Sequence, residues 1–420
     1  MSPETSYSCM DDFDPESITP DQATEHIQSA IRPVTDTDTV ATMEALDRVL
    51  AVEARSEIDV PGHTNSAMDG YAVRGQDLAS DSPGTFTLIG TSFAGHPYDG
   101  PVGAGECVRI MTGGVMPDSA DTVVIQERVR ILGDTEIEIP AGEKPGQNVR
   151  AAGEDIAAGS VILESGRLIG PADLGLLASV GIAEFSVLRR IRVAFFSTGD
   201  ELREVGEPLQ EGHIYNSNRY TLSAMLRRLH ADALDLGVVR DDRIAVAEAF
   251  REASERADMV ITSGGVSVGE ADYVKDVLGE LGDVNFWKVA IKPGRPLAFG
   301  QIGSAKFFGL PGNPVSVMVT FYQFVRPALL RMAGMAEQPP LALQVPATSP
   351  LRKRPGRVEY QRGILSQAQD GSYAVACTGA QGSGILTSMS QANCFIVLPM
   401  ERARVQEGET VEVIPFSGIT

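Results

Sequence analysis

The chain has 420 residues, 43% of them hydrophobic, enough for about three domains with buried cores. Its 56 acidic against 35 basic residues leave a formal net charge of −21. That balance excludes a general affinity for nucleic acid or anionic membrane, both of which need a basic surface.

Residues 1–20 are acidic and carry no apolar core, so they read as a disordered tail and not as a secretory signal. No run reaches the ~18 apolar residues of a membrane span. The cysteines (Cys9, Cys107, Cys377, Cys394) form no CxxC pair and no zinc-type cluster with histidine, which fits reduced thiols in a cytoplasm. Helical periodicity follows over residues 21–31 and again over 37–52, where Met43, Leu46 and Leu50 fall at i, i+3 and i+7. Between residues 56 and 149, short apolar runs such as 86–89 and 123–125 sit among Gly and Pro, the texture of a β module. Helical texture resumes at 171–180, with Pro171 suited to the first turn and Gly181 just past the end. The expectation is a discontinuous helical domain, 21–54 and 157–189, interrupted by a β module at 55–156.

Residues 190–336 alternate strand and helix. Apolar strands are predicted at 191–196, 233–239, 259–262, 284–290, 296–299 and 307–310. Leu222, Met225, Leu226 and Leu229 stripe one helix, and Val246, Phe250 and Ala253 the next, with Asp242 as its N-cap. Further helices are predicted over 272–281 and from 315 onward. Such alternation predicts a mostly parallel sheet covered by helices on both faces. Pro339 and Pro340 mark a linker, after which residues 337–420 return to β texture, sized for a small barrel or sandwich. The fold class is therefore multidomain α/β and β.

The polar and glycine-rich residues gather where the predicted strands end, which is where ligands bind an open α/β sheet. Ser263, Gly264, Gly265 and Ser267 open a helix after one strand, and their glycines let backbone N–H groups approach a phosphate. A tight strand-to-helix turn is the structural alternative. The acids Asp200, Glu201, Asp241, Asp242 and Asp272 share the same rim, and carboxylates beside a phosphate suit magnesium; capping or solvated surface is the alternative. Lys288, Lys292 and Arg295 crowd into one segment and could hold a small oxyanion by charge-assisted hydrogen bonds, or could be ordinary surface cations. Pro311, Asn313, Pro314 and Ser316 open a further helix, an anion-suited end or a rigid turn. With five histidines and no Ser-His-Asp pattern, Rossmann fingerprint or Walker motif, histidine-based, dinucleotide and P-loop chemistries have little support.

At this point the motifs carry a family resemblance. They are Asn65-Ser66-Ala67-Met68-Asp69-Gly70-Tyr71-Ala72, Arg109-Ile110-Met111-Thr112-Gly113-Gly114, Gly153-Glu154-Asp155-Ile156 and Ser197-Thr198-Gly199-Asp200-Glu201-Leu202, followed by residues 262–272, 291–296 and 309–316. The chain resembles the molybdopterin molybdotransferases, the molybdenum insertases that include the E domain of gephyrin, over nearly its whole length. The resemblance implies a cytoplasmic homodimer with an α/β domain similar to that of the molybdopterin adenylyltransferases. It implies an active site between that domain of one subunit and the β module of the other. The activity implied is insertion of molybdate into adenylylated molybdopterin, with magnesium-dependent release of AMP. Matched motif by motif, Asp69, Thr112, Asp155, Glu201, Asp241 and Asp272 would form the catalytic set, the last three as metal ligands. Lys288 and Lys292 would meet the anionic substrate. Lys292, Arg295 and Ser316 would hold molybdate, with Arg357 and Ser383 contributing from the C-terminal domain. Arg295 stands where some members of the family carry Lys, which keeps the charge and changes the donor geometry. Other readings are the preceding adenylylation step, whose family resembles a single compact domain, a scaffold of the same fold without catalysis, and a preference for tungstate. A molybdopterin adenylyltransferase is the expected partner; nucleic acid and membrane are not.

Overall fold

The computed structural model describes residues 16–265, 272–336 and 339–418. These divide into two compact units, one of Asp38–Val187 and one made of the chain up to Thr37 and from Leu188 onward. Among the described residues, no helix is long and apolar enough to cross a membrane.

Helix α1 (Pro20–Ala30) opens on a capping box: the Thr19 hydroxyl accepts from the Gln22 N–H, and the Gln22 side chain accepts from the Thr19 N–H. Its buried face, Ala23 and Ile27 at i and i+4, joins the core of the larger unit. Most of the tail expected over 1–20 lies outside the described residues. Its last part is ordered, since the Ile18 N–H donates to the Lys288 carbonyl at 2.9 Å.

In the Asp38–Val187 unit, β1 (Gly70–Val73), β2 (Gly84–Ser92), β3 (Glu106–Ile110), β4 (Thr122–Ile125) and β5 (Glu136–Ile139) form one sheet with Arg130–Ile131, in the order β4-β1-β3-β2-β5 and then the short strand. Only β2 and β3 run parallel within it. Helix α2 (Pro171–Ser179) begins at Pro171, and Gly181 follows its end at φ +79°. The helix expected over 37–52 is absent. Thr37–Ala41 is a strand, a 3₁₀ turn covers Thr42–Glu44, and Val49–Leu50 is a short strand of the same three-stranded sheet. β-Branched Thr37, Thr39 and Val40 suit the strand, and Asp47 at φ +60° interrupts any helix. The i, i+3, i+7 stripe was coincidental: Met43 is 91% exposed while Leu50 is 1% exposed. The helical character expected for 21–54 with 157–189 is corrected accordingly: α1 packs into the core of the larger unit, while residues 37–54 and 161–188 share one small core of short strands with α2.

The larger unit is built on β6 (Arg192–Thr198), α3 (Ser217–Arg228), β7 (Asp232–Val239), α4 (Arg243–Arg256), β8 (Met259–Ser263), α5 (Asp272–Leu281), β9 (Gly282–Lys288), β10 (Pro296–Ile302) and β11 (Ala305–Leu310). Sheet order is β7-β6-β8-β11-β10-β9. The first four strands are parallel and the β9–β10 hairpin adds antiparallel edges. Strand alternation splits β6 between two cores: Val193 and Phe195 pack with α3 and α1, Ala194 and Phe196 with α4 and α5. Asp242 caps α4, its carboxylate accepting from the Ile244 N–H at 2.9 Å.

Helix α6 (Pro314–Thr320) runs through a π turn (Phe321–Val325) into α7 (Arg326–Met332). The C-terminal strands β12 (Leu343–Pro346), β13 (Val358–Gln367), β14 (Tyr373–Cys377), β15 (Cys394–Leu398) and β16 (Thr410–Pro415) close into a small barrel. Closure comes from the Ala347–Val375 bridge, which ties β12 back to β14. Its lumen is apolar, with Val345, Val375, Ile396 and Val413 buried, while Tyr360 and Phe395 point outward onto the α6–α7 layer. The short strand Ile291–Lys292 pairs with β13, placing Lys292 opposite Glu359.

The corrected reading of 37–52 predicts unequal substitutions. Leu50→Ala should cost about 2–5 kcal/mol and Met43→Ala less than about 0.5 kcal/mol in urea unfolding; similar costs for both would restore the amphipathic helix.

Candidate active-site cleft

Because β6, β8 and β11 are parallel and in register at Ser197, Ser263 and Leu310, their ends open on one side of the sheet. A cleft of ≈ 500 Å³ lies there, lined by Thr198, Gly199, Glu201, Asp241, Gly264 and Gly265 from the strand ends. The segment of Lys292, Gly294 and Arg295, the turn of Pro311, Gly312 and Asn313, and Ser316 complete the α/β side, while Arg357, Gln381, Gly382 and Ser383 enter from the barrel.

The turn after β8 has room only for glycine. Gly264 and Gly265 sit at φ +90° and +69°, and a Cβ would stand 2.7 Å from the Thr198 carbonyl and 2.8 Å from the Thr198 hydroxyl respectively. Ser263 does not line the cleft. It is buried, its hydroxyl 2.9 Å from that of Ser197, and it ties the two strand ends together. The Thr198 hydroxyl is buried at the cleft wall with no hydrogen-bond partner among the described residues.

Glu201 and Asp241 both face the cleft. Loss of solvation, then repulsion from Asp200 and Glu201, raises the Asp241 carboxyl above the ordinary carboxylate range. The Asp241 N–H donates weakly to Asp200 at 3.4 Å. Among the described residues, no three His, Cys, Asp or Glu side chains are preassembled as a metal cluster. Ser267 lies outside the described residues, and of Asp272 only the backbone is described, opening α5.

Among the cations, Lys292 is held by a buried partner. Lys292 Nζ lies 3.3 Å from Glu359 Oε1, and Glu359 in turn accepts from Gln361 at 2.9 Å. Lys288 is not on the cleft wall; its ammonium meets Glu16 at 3.1 Å. Pro314 likewise is not a lining residue and starts α6. The barrel contribution depends on Arg362, only 1% exposed, which sequence reading missed because nothing marks an arginine as buried. It donates to Ser388 Oγ at 3.0 Å and to the Gly382 carbonyl at 3.1 Å, while its N–H donates to the Gln381 side chain at 2.8 Å. Burial lowers its pKa to about 10, still charged at neutral pH. The Ser383 carbonyl accepts from the Val315 N–H at 3.0 Å, so the Gln381–Ser383 wall is stapled on both sides. Gln381 and Gly382 were also missed, although Gly382 adjoins Ser383, while Thr198 and Gly294 fall within recognised motifs without a role of their own.

In the other unit, antiparallel pairing of Gly70 with Ile110 brings the residue before β1 next to the turn after β3. Asp69 there accepts from the Thr112 N–H at 2.7 Å and from the Thr112 hydroxyl at 2.8 Å. The backbone bond, then the hydroxyl, with Arg109 adding charge, hold the Asp69 carboxyl below its usual range. Asp155 is exposed in a separate turn, its N–H donating to the Val60 carbonyl at 3.0 Å.

Three family models match in succession: "MoeA N-terminal region (domain I and II)" over 18–181, "Probable molybdopterin binding domain" over 194–331 and "MoeA C-terminal region (domain IV)" over 344–416. A molybdopterin molybdenumtransferase of Haemophilus influenzae is 45% identical, covering 95% of this chain and 99% of that protein. The chain belongs to the molybdopterin molybdenumtransferase family. A Nostoc molybdopterin molybdenumtransferase is 36% identical over 90% of the chain and 88% of its own length. The crystal structure of a molybdopterin biosynthesis moeA protein from Pyrococcus horikoshii superposes with a TM-score of 0.83 at 29% identity, covering 95% of this chain and all of that one.

Thr112→Val keeps the backbone donor and removes the hydroxyl. Asp69 in this variant should titrate higher than in the parent, yet still below a free aspartate, as followed by carboxyl NMR. Identical titrations would remove the hydroxyl from the account.

Proposed function

We propose that the cleft inserts molybdenum from molybdate into adenylylated molybdopterin and releases AMP. The observation that carries this reading is that one cleft joins a glycine turn, two carboxylates and the cations Lys292, Arg295 and Arg357 at the ends of parallel strands. In this reading the N–H groups around Gly264 and Gly265, with the Thr198 hydroxyl and Ser267, receive phosphate oxygens. Lys292, Arg295, Ser316, Arg357 and Ser383 hold molybdate as substrate, and Pro311 and Asn313 shape the wall beside it. When water attacks the pyrophosphate link and AMP departs, charge grows on the phosphate oxygens, and fixed donors and cations beside them offset it without reorganising. Asp69, Thr112 and Asp155 are assigned to the same reaction by family resemblance. The proposal extends to a cytoplasmic homodimer whose substrate comes from a molybdopterin adenylyltransferase.

Magnesium fits the carboxylate wall. Asp241, raised by burial and then by Asp200 and Glu201, shares the wall with Glu201, and magnesium usually takes only one or two carboxylates, completing its shell with water and substrate phosphate. Glu201 and Asp241 would hold it, with Asp272 as a further candidate. Bound there, it would supply positive charge to phosphoryl oxygens.

The direct test is AMP release from adenylylated molybdopterin by the purified protein. Release should require molybdate, and Lys292→Ala should lower kcat/KM about 10- to 100-fold. ATP-dependent adenylylation of free molybdopterin, without molybdate-dependent AMP release, would overturn the reading.

A carboxyl whose pKa rises on folding binds protons more tightly in the folded state, so its contribution to stability falls as pH climbs through the carboxylate range and is lost at neutral pH. Asp241→Asn should therefore melt higher than the parent at pH 7 without magnesium, and should lose part of the Tm gain that magnesium gives the parent. Equal gains in both proteins would remove Asp241 from the magnesium site.

A further inference from the structure

Lys292 borders two cavities. Besides the cleft, it lines a smaller pocket of ≈ 300 Å³ with Arg352, Lys353, Arg354 and Arg404. Every lining side chain is a cation, in a chain where acids outnumber bases 56 to 35.

The pocket is built by the barrel. Leu351 and Val405 exchange backbone hydrogen bonds of 2.9 and 3.1 Å, which set the segments carrying Arg352–Arg354 and Arg404 side by side. The Arg352 carbonyl accepts from the Gln361 side chain at 2.8 Å, fixing the first of these segments to β13. Lys353 is buried beneath, its ammonium donating to the carbonyls of Arg354 at 3.0 Å and Met400 at 3.4 Å. Acids near the pocket include Glu359, engaged with Lys292 and Gln361, and Glu401, which acts on Lys353. Arg352, Arg354 and Arg404 are exposed at the rim.

This lining selects a ligand class. No aromatic or apolar side chain offers a platform for a pterin or an adenine ring. A pocket lined by one sign of charge concentrates counter-ions and raises their arrival rate at the neighbouring site. We propose that the pocket is a loading site for small tetrahedral oxyanion dianions, which gather at Arg352, Arg354 and Arg404 and pass along Lys292 into the cleft. This rests on the reading of the cleft as the place where such an oxyanion is consumed.

The test uses tungstate as the probe, in equilibrium dialysis with metal analysis, on the full-length protein. The parent should bind two tungstates per chain, and the triple variant Arg352→Gln, Arg354→Gln, Arg404→Gln one, with Lys353 left in place. Arg295→Ala should lose the cleft ion and keep the other. In the AMP-release assay the triple variant should need about tenfold more molybdate for half-saturation, with kcat at saturation unchanged. Replacing the same three arginines by lysine should restore most of the loss. The same stoichiometry and half-saturation in parent and triple variant would overturn the proposal, as would loss of binding to an acidic peptide with tungstate binding intact. A parent that binds a single tungstate, lost in the triple variant and kept in Arg295→Ala, would uphold the pocket and instead overturn the cleft. Adding phosphate and AMP as competitors distinguishes an inorganic oxyanion from the phosphate of the product.

Discussion

The parallel register of β6, β8 and β11 is the constraint on which the rest of the larger unit depends. With Ser197 opposite Ser263, and Ser263 opposite Leu310, three strands stop at one level. Each chain segment that leaves them must turn there, and each turn exposes backbone that the sheet no longer satisfies. The hydroxyl contact between Ser197 and Ser263 ties two of the strand ends directly. The glycine turn can approach the Thr198 backbone only because Gly264 and Gly265 lack a Cβ. A strand slipped by one residue would exchange the two faces of the sheet, sending Phe195 and Phe196 into each other's cores.

The barrel is the second half of the arrangement. Arg362 is a charge placed in the interior, its guanidinium donating to the carbonyl of Gly382 and the hydroxyl of Ser388 while its backbone N–H donates to the Gln381 side chain. A buried ion is tolerated only when it is paired or hydrogen-bonded, and here the bond to Gly382 also shapes the wall of the cleft. The same β13 that carries Arg362 carries Glu359, whose carboxylate aims Lys292. One strand thus positions groups of both signs.

Several features were legible in the residues themselves. Alternation of apolar strands with striped helices announced a mostly parallel sheet, because burial on both faces demands continuous hydrophobic strands. Pro171, Gly181 and Asp242 marked helix ends through local backbone chemistry, and the structure uses them that way. The glycines after β8, together with Lys292, Arg295 and Ser316, stood out by their place near the ends of predicted strands, and they line the cleft. The stripe of Met43, Leu46 and Leu50 misled for the opposite reason: periodicity over two turns is compatible with a strand, a turn and a chance spacing.

What the sequence determined by itself was therefore local: the identity of the elements, the chemistry of their ends and the family to which the motifs belong. Which distant residues meet was left to the tertiary structure. Asp69 finds Thr112 through the pairing of two antiparallel strands, Lys288 turns to Glu16 instead of the cleft, and Arg352 and Arg404 become neighbours across the Leu351–Val405 bridge. Such contacts arise from strand register and packing between segments far apart in the chain, and residue type and spacing along one segment carry no record of them.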